Sequence, residues 1–465
     1  MSEQAYSDEL DRKVLEHFPG RVVRKDLVGK VKGQLNVPAY VLEYLLGKYC
    51  SSGDEAVVNA GLGEVKRVLT EHYVRPDQSE WFKSQVKAQS QHRVIDKVKV
   101  RLVETEDKHW ASLVNLQIDR VHIGEDLVQR YERLLAGGVW AVVDLAYDPQ
   151  LIHKGDIRPF NVVDIRPIQL AAGNLLEEVR QKRSLFSRDE WVDFLLRSIG
   201  VEPAQMTSRL KMLYLARLIT LVENNFNLVE FGPRMTGKSY VYREVTPYAI
   251  LVSGGDVTVP SLFVSHSGKG RLGLVALWDV VAFDEVAGLT RLANAQAINL
   301  LKDYMESGSF SRGREEITAP ASLVFIGNIN VDIDVALRTS HLFTPFPIEM
   351  QDLAFLDRFH IYLPGWELPK MASALLTTRY GLVVDYLAEV FRELRKLTFG
   401  DALDRYFELG DALNKRDEKA VRKTVSGYVK LLHPDGQYGK GELEEYLSLG
   451  DSRKSGVCRD QRPVL

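Results

Sequence analysis

One octapeptide constrains the fold more than any other part of the sequence. Gly232-Pro-Arg-Met-Thr-Gly-Lys-Ser239 matches the pattern G-x4-G-K-[S/T] and follows the apolar segment NLVEF. In this pattern a glycine-rich loop joins a buried strand to a helix, so that backbone N–H groups and the helix N-terminus face phosphate oxygens. The octapeptide therefore predicts an α/β domain with a parallel sheet covered by helices. The predicted phosphate site consists of Gly232, Pro233, Arg234, Met235, Thr236, Gly237, Lys238 and Ser239.

A second motif places two carboxylates near this loop. The apolar segment VVAF precedes Asp284 and Glu285, and parallel strands present their carboxyl ends at the edge of the sheet where ligands bind. With ATP as ligand, Lys238 is expected to reach the β- and γ-phosphates, while Ser239 and Asp284 hold Mg²⁺. Glu285 is then the candidate that polarises the attacking water. The two motifs together predict nucleotide hydrolysis.

Two further polar residues follow apolar segments of the same region. Asn328 ends the segment LVFIG and can orient the lytic water, although a turn role for Asn328 or a sensor role for Asn330 remains an alternative. Arg358, in LDRFH, is predicted to face the nucleotide of a neighbouring subunit and to stabilise charge on the transferred phosphoryl group. The competing interpretation of Arg358 is a surface ion pair.

Composition excludes several classes of protein. The apolar content of 45% rules out a disordered chain, and the net charge of −3 argues against general coating of nucleic acid. The cysteines, Cys50 and Cys458, lie too far apart for a disulfide scaffold or a CxxC zinc site. No uncharged apolar run reaches the ~18 residues of a membrane helix, and the N-terminus is not a secretory signal. We expect a cytoplasmic protein that does not associate with a membrane.

Changes in periodicity divide the chain into regions. The sequence predicts a helical, partly basic region at 1–91, a β-rich region at 92–204, an α/β core at 205–368, a helical region at 369–449 that begins with Lys370–Thr377, and a tail at 450–465. The β-rich region suggests a small barrel, for which an oligonucleotide-binding type is one possibility. Basic residues in the first two regions, Arg24, Lys25, Lys97 and Lys99, are candidate DNA contacts, with solvated surfaces as the alternative.

The motifs together resemble an AAA+ ATPase. The segments EFGPRMTGKSYVYREVTPY, VVAFDEVAGL, YMESGSFSRGREEI and KLLHPDG are more specifically similar to BrxL, the family of Lon-related AAA+ proteins in BREX bacteriophage-defence systems. The resemblance runs from about residue 8 to about residue 448 and implies an AAA+ core with a helical lid. Members of this family continue into a Lon-protease-like region, whereas this chain stops soon after GELEEYLSL. We therefore expect a shortened form without protease activity.

The resemblance also implies further site residues and partners. The family is similar to minichromosome-maintenance helicases, whose arginine finger lies in a segment comparable to that of Arg358. A lid arginine senses nucleotide in such ATPases, and Arg422 is the candidate, with Arg416 as its competitor. A hairpin around Gly313 would point Arg312 and Arg314 into the channel of a ring. The implied assembly is a hexamer or stacked double hexamer on DNA, with duplex as the favoured form, together with other BREX components.

Three functions compete at this point. The first is a ring-forming, DNA-binding ATPase of phage defence. The second is an unfoldase of protein substrates, which usually needs an aromatic pore loop. The corresponding segment here, SHSGKGRLG (265–273), is basic and contains no aromatic residue. The third is an ATP-gated scaffold that recruits other BREX proteins.

Overall fold

The computed structural model describes residues 8–450 except for 34–36, 132–133, 136–137, 169–173, 254, 256, 265–271, 313–314, 330–332, 334, 336–337, 339–340 and 411–412. The chain divides into two compact units, Met1–Ala171 and Ala172–Leu465. The boundary predicted from the sequence, at residue 204, lies after the observed boundary at residue 171. The helices Leu175–Arg183 and Arg188–Ser198, between these two positions, pack within the second unit. There Arg183 Nε donates to the carbonyl of Leu432 at 2.7 Å, and Trp191 Nε1 donates to that of Leu431 at 3.0 Å.

Within the described residues, the first unit begins with helices, in agreement with the helical region predicted at 1–91. Its helices before the barrel are Glu9–His17, Asp26–Lys32, Ala39–Cys50, Glu55–His72 and Ser79–Gln89, with a short strand β1 at Val22–Arg24. Side-chain caps fix two of the starts, since Asp8 accepts from the N–H of Asp11 and Asp54 accepts from that of Ala56. The free thiol of Cys50 is buried among these helices, and burial raises its pKa to about 11.

A closed five-stranded barrel follows in the same unit, in agreement with the predicted small barrel. Its strands in chain order are β2 (Gln91–Val103), β3 (Lys108–Leu113), β4 (Ile118–Ile123), β5 (Val139–Tyr147) and β8 (Phe160–Pro167). They are ordered β2-β3-β4-β8-β5, and only the β4–β8 pairing is parallel. The helix Glu125–Arg130 lies between β4 and β5, and a small hairpin of β6 (Ile152–His153) and β7 (Asp156–Ile157) lies between β5 and β8.

A buried carboxylate organises one loop of the barrel. Asp96 on β2 is fully buried and accepts hydrogen bonds from the N–H groups of Asn115 at 2.8 Å and Leu116 at 3.0 Å. Burial raises the pKa of Asp96 to about 6, and these backbone bonds oppose that rise. The carboxylate thus satisfies two donors of the β3–β4 loop that the barrel ladder leaves unpaired.

The second unit is built on a parallel sheet. Its strands are β9 (Leu228–Gly232), β10 (Ala249–Ser253), β11 (Val280–Asp284), β14 (Ser322–Asn328) and β15 (Ile361–Pro364). The order is β10-β11-β14-β9-β15, and all four pairings are parallel. Side chains of β9, β11 and β14 are almost all buried, because helices cover both faces of the sheet. The predicted α/β core is therefore present.

Helices and one hairpin complete this unit. The hairpin pairs β12 (Ser309–Arg312) with β13 (Glu315–Thr318), and a short strand β16 lies at Tyr380–Leu382. The helices are Leu175–Arg183, Arg188–Ser198, Ser208–Val222, Lys238–Glu244, Val259–Leu262, Leu274–Leu277, Ala295–Ser307, Leu353–Leu356, Val384–Arg395, Lys415–Leu432 and Lys440–Gly450. A capping box of Ser187 and Glu190 opens the second of these helices. In the described ranges, no helix combines the length and the apolar character that crossing a bilayer requires.

The predicted helix at Lys370–Thr377 is wrong. This segment contains only a short 3-10 turn at Ser373–Leu375. Its backbone donors serve tertiary contacts instead of a helical ladder: the N–H of Met371 donates to the carbonyl of Met235, and that of Thr377 donates to the carbonyl of Gly200. Helical periodicity in so short a segment cannot outweigh such contacts.

Asp96→Ala should lower the free energy of unfolding of the first unit by about 2–3 kcal/mol, because it leaves two buried N–H donors without an acceptor. Chemical denaturation followed by circular dichroism measures this change. The matched control is Asp119→Ala on β4, where the carboxylate is exposed. Its effect should stay within about 0.5 kcal/mol. Equal stabilities of the two variants would contradict the assigned role of Asp96.

Candidate functional site

The predicted phosphate loop connects β9 to the helix Lys238–Glu244, as the octapeptide requires. Gly232 lies where β9 meets the chain beyond β15, and a Cβ there would lie 2.4 Å from the backbone of Gly365. Met235 and Gly237 both adopt left-handed conformations, with φ of 67° and 76°. Such a φ is strained for Met235 and easy for Gly237. The backbone is thus folded tightly around the space in front of the helix.

Protein groups hold the carbonyls of the phosphate loop. Lys238 Nζ donates to the carbonyls of Gly232 at 3.2 Å and Pro233 at 2.5 Å. The N–H of Met371 donates to the carbonyl of Met235 at 2.7 Å, and the guanidinium of Arg217 donates to that of Thr236 at 3.1 Å. The carbonyl and the N–H of a trans peptide point in opposite directions. Because the carbonyls of the loop point toward these protein donors, the N–H groups of the same peptides point away from the donors.

Lys238 is mostly buried at the first turn of its helix. Burial lowers the pKa of its ammonium, while the charges of Glu230 and Asp284 oppose this and that of Arg217 adds to it. The ammonium donates to two neutral carbonyls. An ammonium forms a stronger hydrogen bond with an anion than with a neutral carbonyl, so the exchange of these carbonyls for phosphate oxygens is favourable. The side chain is therefore placed at the loop that it would complete with phosphate.

The second motif meets the first through a direct hydrogen bond. Ser239 Oγ donates to Asp284 Oδ2 at 2.8 Å, and Asp284 Oδ1 accepts from the N–H of Glu285 at 3.1 Å. A hydroxyl and a carboxylate oxygen side by side are hard oxygen donors of the kind that Mg²⁺ prefers, so these residues fit the predicted ion. Glu285 is exposed and adopts a left-handed φ of 55°, an unusual conformation for a residue with a Cβ.

Asn328 is the last residue of β14, and its Cα partner across the sheet is Gly232, the first residue of the phosphate loop. The next residue continues this contact, since the N–H of Ile329 donates to the carbonyl of Gly232 at 3.2 Å. The alternative Asn330 lies outside the described residues. The strand register thus brings Asn328 to the edge of the sheet that carries the loop and Asp284.

Arg358 lies against the helix Ala295–Ser307. Its Nε donates to the carbonyl of Lys302 at 2.8 Å and lies 3.8 Å from Glu306 Oε2, while Nη1 donates to the carbonyl of Ala354. Only 11% of the side chain is exposed. Within one chain, these contacts are to backbone carbonyls and one carboxylate.

Arg416 and Arg422, the two candidates for a nucleotide-sensing arginine, lie in different surroundings. Arg416 Nε donates to Glu306 Oε2 at 2.8 Å and Nη1 donates to Asp357 Oδ2 at 3.0 Å, so that it shares Glu306 with Arg358. Arg422, on the same helix, bonds to Glu418, Asp404 and the carbonyl of Gly400. The structure thus brings Arg416 to Arg358 and engages Arg422 in contacts with its own helix and the turn before it.

Two of the candidate DNA contacts are corrected by the structure. Arg24 is 1% exposed, and its guanidinium donates to Asp26 and Glu55, each at 2.7 Å. Lys25 Nζ donates to Glu43 Oε2 at 2.7 Å and is also buried, and burial outweighs Glu43 and lowers its pKa. Buried ammonium and guanidinium groups that already pair with carboxylates have no phosphate-facing surface, so both residues are structural.

The remaining basic candidates lie at surfaces or beyond the described side chains. Lys97 and Lys99 lie two residues apart on β2 and therefore on the same face of the strand. Lys99 is exposed and Lys97 is half-buried. Burial, together with the charge of Lys99, lowers the pKa of Lys97 to about 8. The predicted hairpin is present, with Arg312 at the end of β12, but the side chain of Arg312 and all of Arg314 lie outside the described residues. Phe310 packs in the core against Phe263.

Sequence reasoning missed Arg217 and Glu230, which lie beside the phosphate loop. They form an ion pair at 2.6 Å between the helix Ser208–Val222 and β9. The signal was present, because each charge stands alone in an apolar segment, LYLARLITLV and NLVEFG. Opposite charges at two positions that periodicity assigns to the interior are expected to be partners.

Comparisons with known proteins cover both units. A family model described as "Lon-like protease BrxL-like, ATPase domain" matches residues 160–462, and one described as "BREX system Lon protease-like protein BrxL N-terminal" matches residues 16–147. Two curated relatives, both called "Lon-like protease BrxL", are 51% identical (Bacillus cereus strain H3081.97) and 49% identical (Escherichia coli O9:H4 strain HS) over 441 residues.

The chain is shorter than these relatives. The alignments cover 95% of this chain but only 65% and 63% of the two relatives. Among solved structures, that of a full-length MCM homolog from Methanopyrus kandleri aligns with 91% of this chain and 98% of its own, with a TM-score of 0.42 and 12% identity.

Proposed function

The chain belongs to the BrxL family, and we propose that it is an AAA+ ATPase that hydrolyses ATP within a ring on DNA in BREX phage defence. The observation that carries this proposal is the hydrogen bond of Ser239 to Asp284, which joins the phosphate loop to the carboxylate strand. The match of a family ATPase domain to residues 160–462 supports the same reaction. The name of the relatives includes a protease, but this chain covers only part of their length, and we propose no proteolytic step.

Each site residue has a distinct proposed role. Lys238 exchanges the carbonyls of Gly232 and Pro233 for phosphate oxygens, and the loop's N–H groups bind the rest of the phosphate chain. Ser239 and Asp284 would hold Mg²⁺, which supplies neutralisation of phosphate charge when bound. The exposed carboxylate of Glu285 accepts the proton of the attacking water, and Asn328 orients that water.

Glu285→Gln should bind ATP with wild-type affinity and lose at least about 100-fold in hydrolysis, the lower range for loss of a general base. Lys238→Ala should lose nucleotide binding as well. Phosphate release measures the first quantity, and fluorescence of a labelled nucleotide measures the second. Hydrolysis of ATP by Glu285→Gln at the wild-type rate would refute the catalytic role of this carboxylate.

We also propose that Arg358 acts on the nucleotide of the neighbouring subunit, with Arg416 beside it. Both side chains approach Glu306, Arg416 at 2.8 Å and the more buried Arg358 at 3.8 Å. A chain that supplies its arginine to a neighbour needs a closed ring, and the hexamer or stacked double hexamer of the family resemblance satisfies this need. Arg422, bound to Glu418 and Asp404, lies apart from this pair and stays the alternative sensor that the family resemblance implies.

Arg358→Ala should lose about 10³-fold or more in ATP turnover, as for arginine fingers in other phosphoryl-transfer systems, while it still binds ATP. Mixing it with Lys238→Ala should restore part of the activity, because some interfaces then combine an intact Lys238 with an intact Arg358. Arg416→Ala and Arg422→Ala form a matched pair on one helix, and only the former should lower turnover. No recovery in the mixture, despite demonstrated subunit exchange, would refute action across the interface.

DNA binding is the next part of the proposal, and the barrel supports it. The order β2-β3-β4-β8-β5, with a helix between β4 and β5, fits an oligonucleotide-binding barrel. On β2, Lys97 is half-buried, and the charge that influences it among the described residues is that of Lys99, a second cation. A desolvated lysine beside another cation gains from a phosphate that neutralises both. The hairpin with Arg312 and Arg314 is a second proposed contact.

The Lys97→Ala/Lys99→Ala variant should lower the slope of log affinity against log salt by about 2, one unit for each phosphate that the variant no longer binds. The Arg312→Ala/Arg314→Ala variant should do the same if the hairpin faces DNA. Lys66→Ala, at an exposed helical lysine of the first unit, is the control with an unchanged slope. Duplex and single-stranded probes of equal length identify the preferred form. If the salt slope of a double variant is unchanged, the two residues replaced in that variant do not contact DNA.

The pH dependence separates Lys97 from its neighbours. Since its pKa is lowered to about 8, its ammonium is mostly charged at pH 7 and becomes neutral as the pH rises. Phosphate binding favours the charged form, so DNA affinity should fall between about pH 7 and about pH 9.5. Lys97→Arg stays charged across this range and should flatten the decline. Equal pH profiles for wild type and Lys97→Arg would exclude Lys97 as a phosphate contact.

A further inference from the structure

A buried ion pair lies directly behind the phosphate loop. Arg217 projects from the helix Ser208–Val222, and Glu230 projects from β9. Their side chains are 1% and 0% exposed. Two hydrogen bonds join them, from Nη2 to Oε1 at 2.6 Å and from Nε to Oε2 at 3.0 Å. Burial lowers the pKa of the guanidinium, but Glu230 outweighs this and holds the pKa of Arg217 above its usual value. The guanidinium is therefore charged.

The guanidinium of Arg217 makes one further hydrogen bond, outside the ion pair. Its Nη2 also donates to the carbonyl of Thr236 at 3.1 Å, the residue before Gly237 in the phosphate loop. A trans peptide is planar, and its carbonyl and N–H point in opposite directions. A carbonyl of Thr236 that is held inward on Arg217 therefore turns the N–H of Gly237 outward. Gly237, at a φ of 76°, has no Cβ to resist this orientation.

Neither charge is needed merely to fill space. An apolar pair of similar volume packs as well as a buried ion pair and is often as stable, because two charges must be desolvated to form the ion pair. An apolar residue at 217 cannot, however, donate to the carbonyl of Thr236. The contact with the loop is thus what the ion pair provides and an apolar pair would not.

We propose that Arg217, oriented by Glu230, is a positioning residue that sets the N–H of Gly237 for phosphate binding. This inference rests on the proposed ATPase function and deepens it. Glu230 fixes two donors of the guanidinium, so that the remaining hydrogen bond has one direction and the peptide between Thr236 and Gly237 has one orientation. The loop is then preorganised for the phosphate chain before nucleotide arrives.

The double variant Arg217→Met/Glu230→Leu tests this role without an unpaired charge in the core. We expect a folded protein whose affinity for N-methylanthraniloyl-ADP with Mg²⁺ falls about tenfold, the scale of one charge-assisted hydrogen bond. For hydrolysis, KM for ATP should rise by a similar factor while kcat changes less, because the loop binds phosphate in the ground state as well as in the transition state.

The chain offers a second buried pair as a control near the end of the same helix, although Glu223 of that pair also faces Lys423 and Arg395. Lys430 and Glu223 form a buried pair at 2.9 Å, with side chains 1% and 9% exposed. Their other hydrogen bonds join Lys430 to the carbonyl of Val222 and Glu223 to the hydroxyl of Ser426, outside the phosphate loop. Lys430→Met/Glu223→Leu should leave nucleotide affinity within about twofold of wild type. If both double variants lose affinity in proportion to a fall in melting temperature, the role of Arg217 is structural and the proposal is overturned.

A conservative variant keeps the test decisive if the double variant does not fold. Arg217→Lys retains a cation for Glu230, but a single ammonium lacks the fixed fork that reaches both Glu230 and Thr236. It should fold with a modest fall in melting temperature, remain folded at the assay temperature and still lose affinity several-fold. Wild-type affinity in Arg217→Lys, or in the folded double variant, overturns the proposal. Failure of the wild type to bind the probe, or equal binding by Lys238→Ala, would instead overturn the proposed ATPase function.

Discussion

The position of β14 between β11 and β9 is the constraint on which the candidate site depends. Neighbouring parallel strands lie about 4.8 Å apart, and their carboxyl ends share one edge of the sheet. β11 delivers Asp284 there, β14 delivers Asn328 opposite Gly232, and β9 opens into the phosphate loop. A chain that placed β14 at the outer edge of the sheet would remove Asn328 from its position between Asp284 and the phosphate loop. Strand order thus puts Asn328 beside the phosphate loop, while the hydrogen bond of Ser239 to Asp284 spans the width of that central strand.

The motifs at this edge could be predicted because each one is local. The phosphate loop needs a strand, glycines and a helix within a few residues, and Asp284 needs only an apolar strand before it. The resemblance to BrxL, inferred from four such segments, is confirmed by the family models and by relatives that are 51% and 49% identical. The helices of residues 8–90 and the barrel were also predictable, since burial leaves a regular pattern in short segments. Contacts between distant segments leave no comparable pattern.

The errors all arise from such distant contacts. Arg24 and Lys25 lie in a segment rich in basic residues, but Glu55 and Glu43, on later helices, neutralise them in the interior. A local count of charges cannot include partners that only the fold brings near. The same holds for the helices on either side of Ser187, which pack against the chain near Leu431. The proximity of Arg416 to Arg358 was equally hidden, because it arises through Glu306, which lies 110 residues before Arg416 in the sequence.

The ion pair of Arg217 with Glu230 and that of Arg416 with Glu306 differ in how much free energy their separation costs. Arg217 and Glu230 are desolvated on all sides, and separating them would leave an unpaired buried charge. Arg416 and Glu306 are 40% and 39% exposed, and pairs of this kind contribute only about 0–1 kcal/mol. Under the proposed function, this difference matches what each set must do. The phosphate loop has to keep one shape through every cycle, whereas Arg358 and Arg416 must leave Glu306 for the phosphates of a neighbouring subunit. The solvated pair with Glu306 opposes the exchange of Arg416 only weakly, whereas Arg358, with 11% of its side chain exposed, must also exchange the carbonyls of Lys302 and Ala354 for phosphate oxygens.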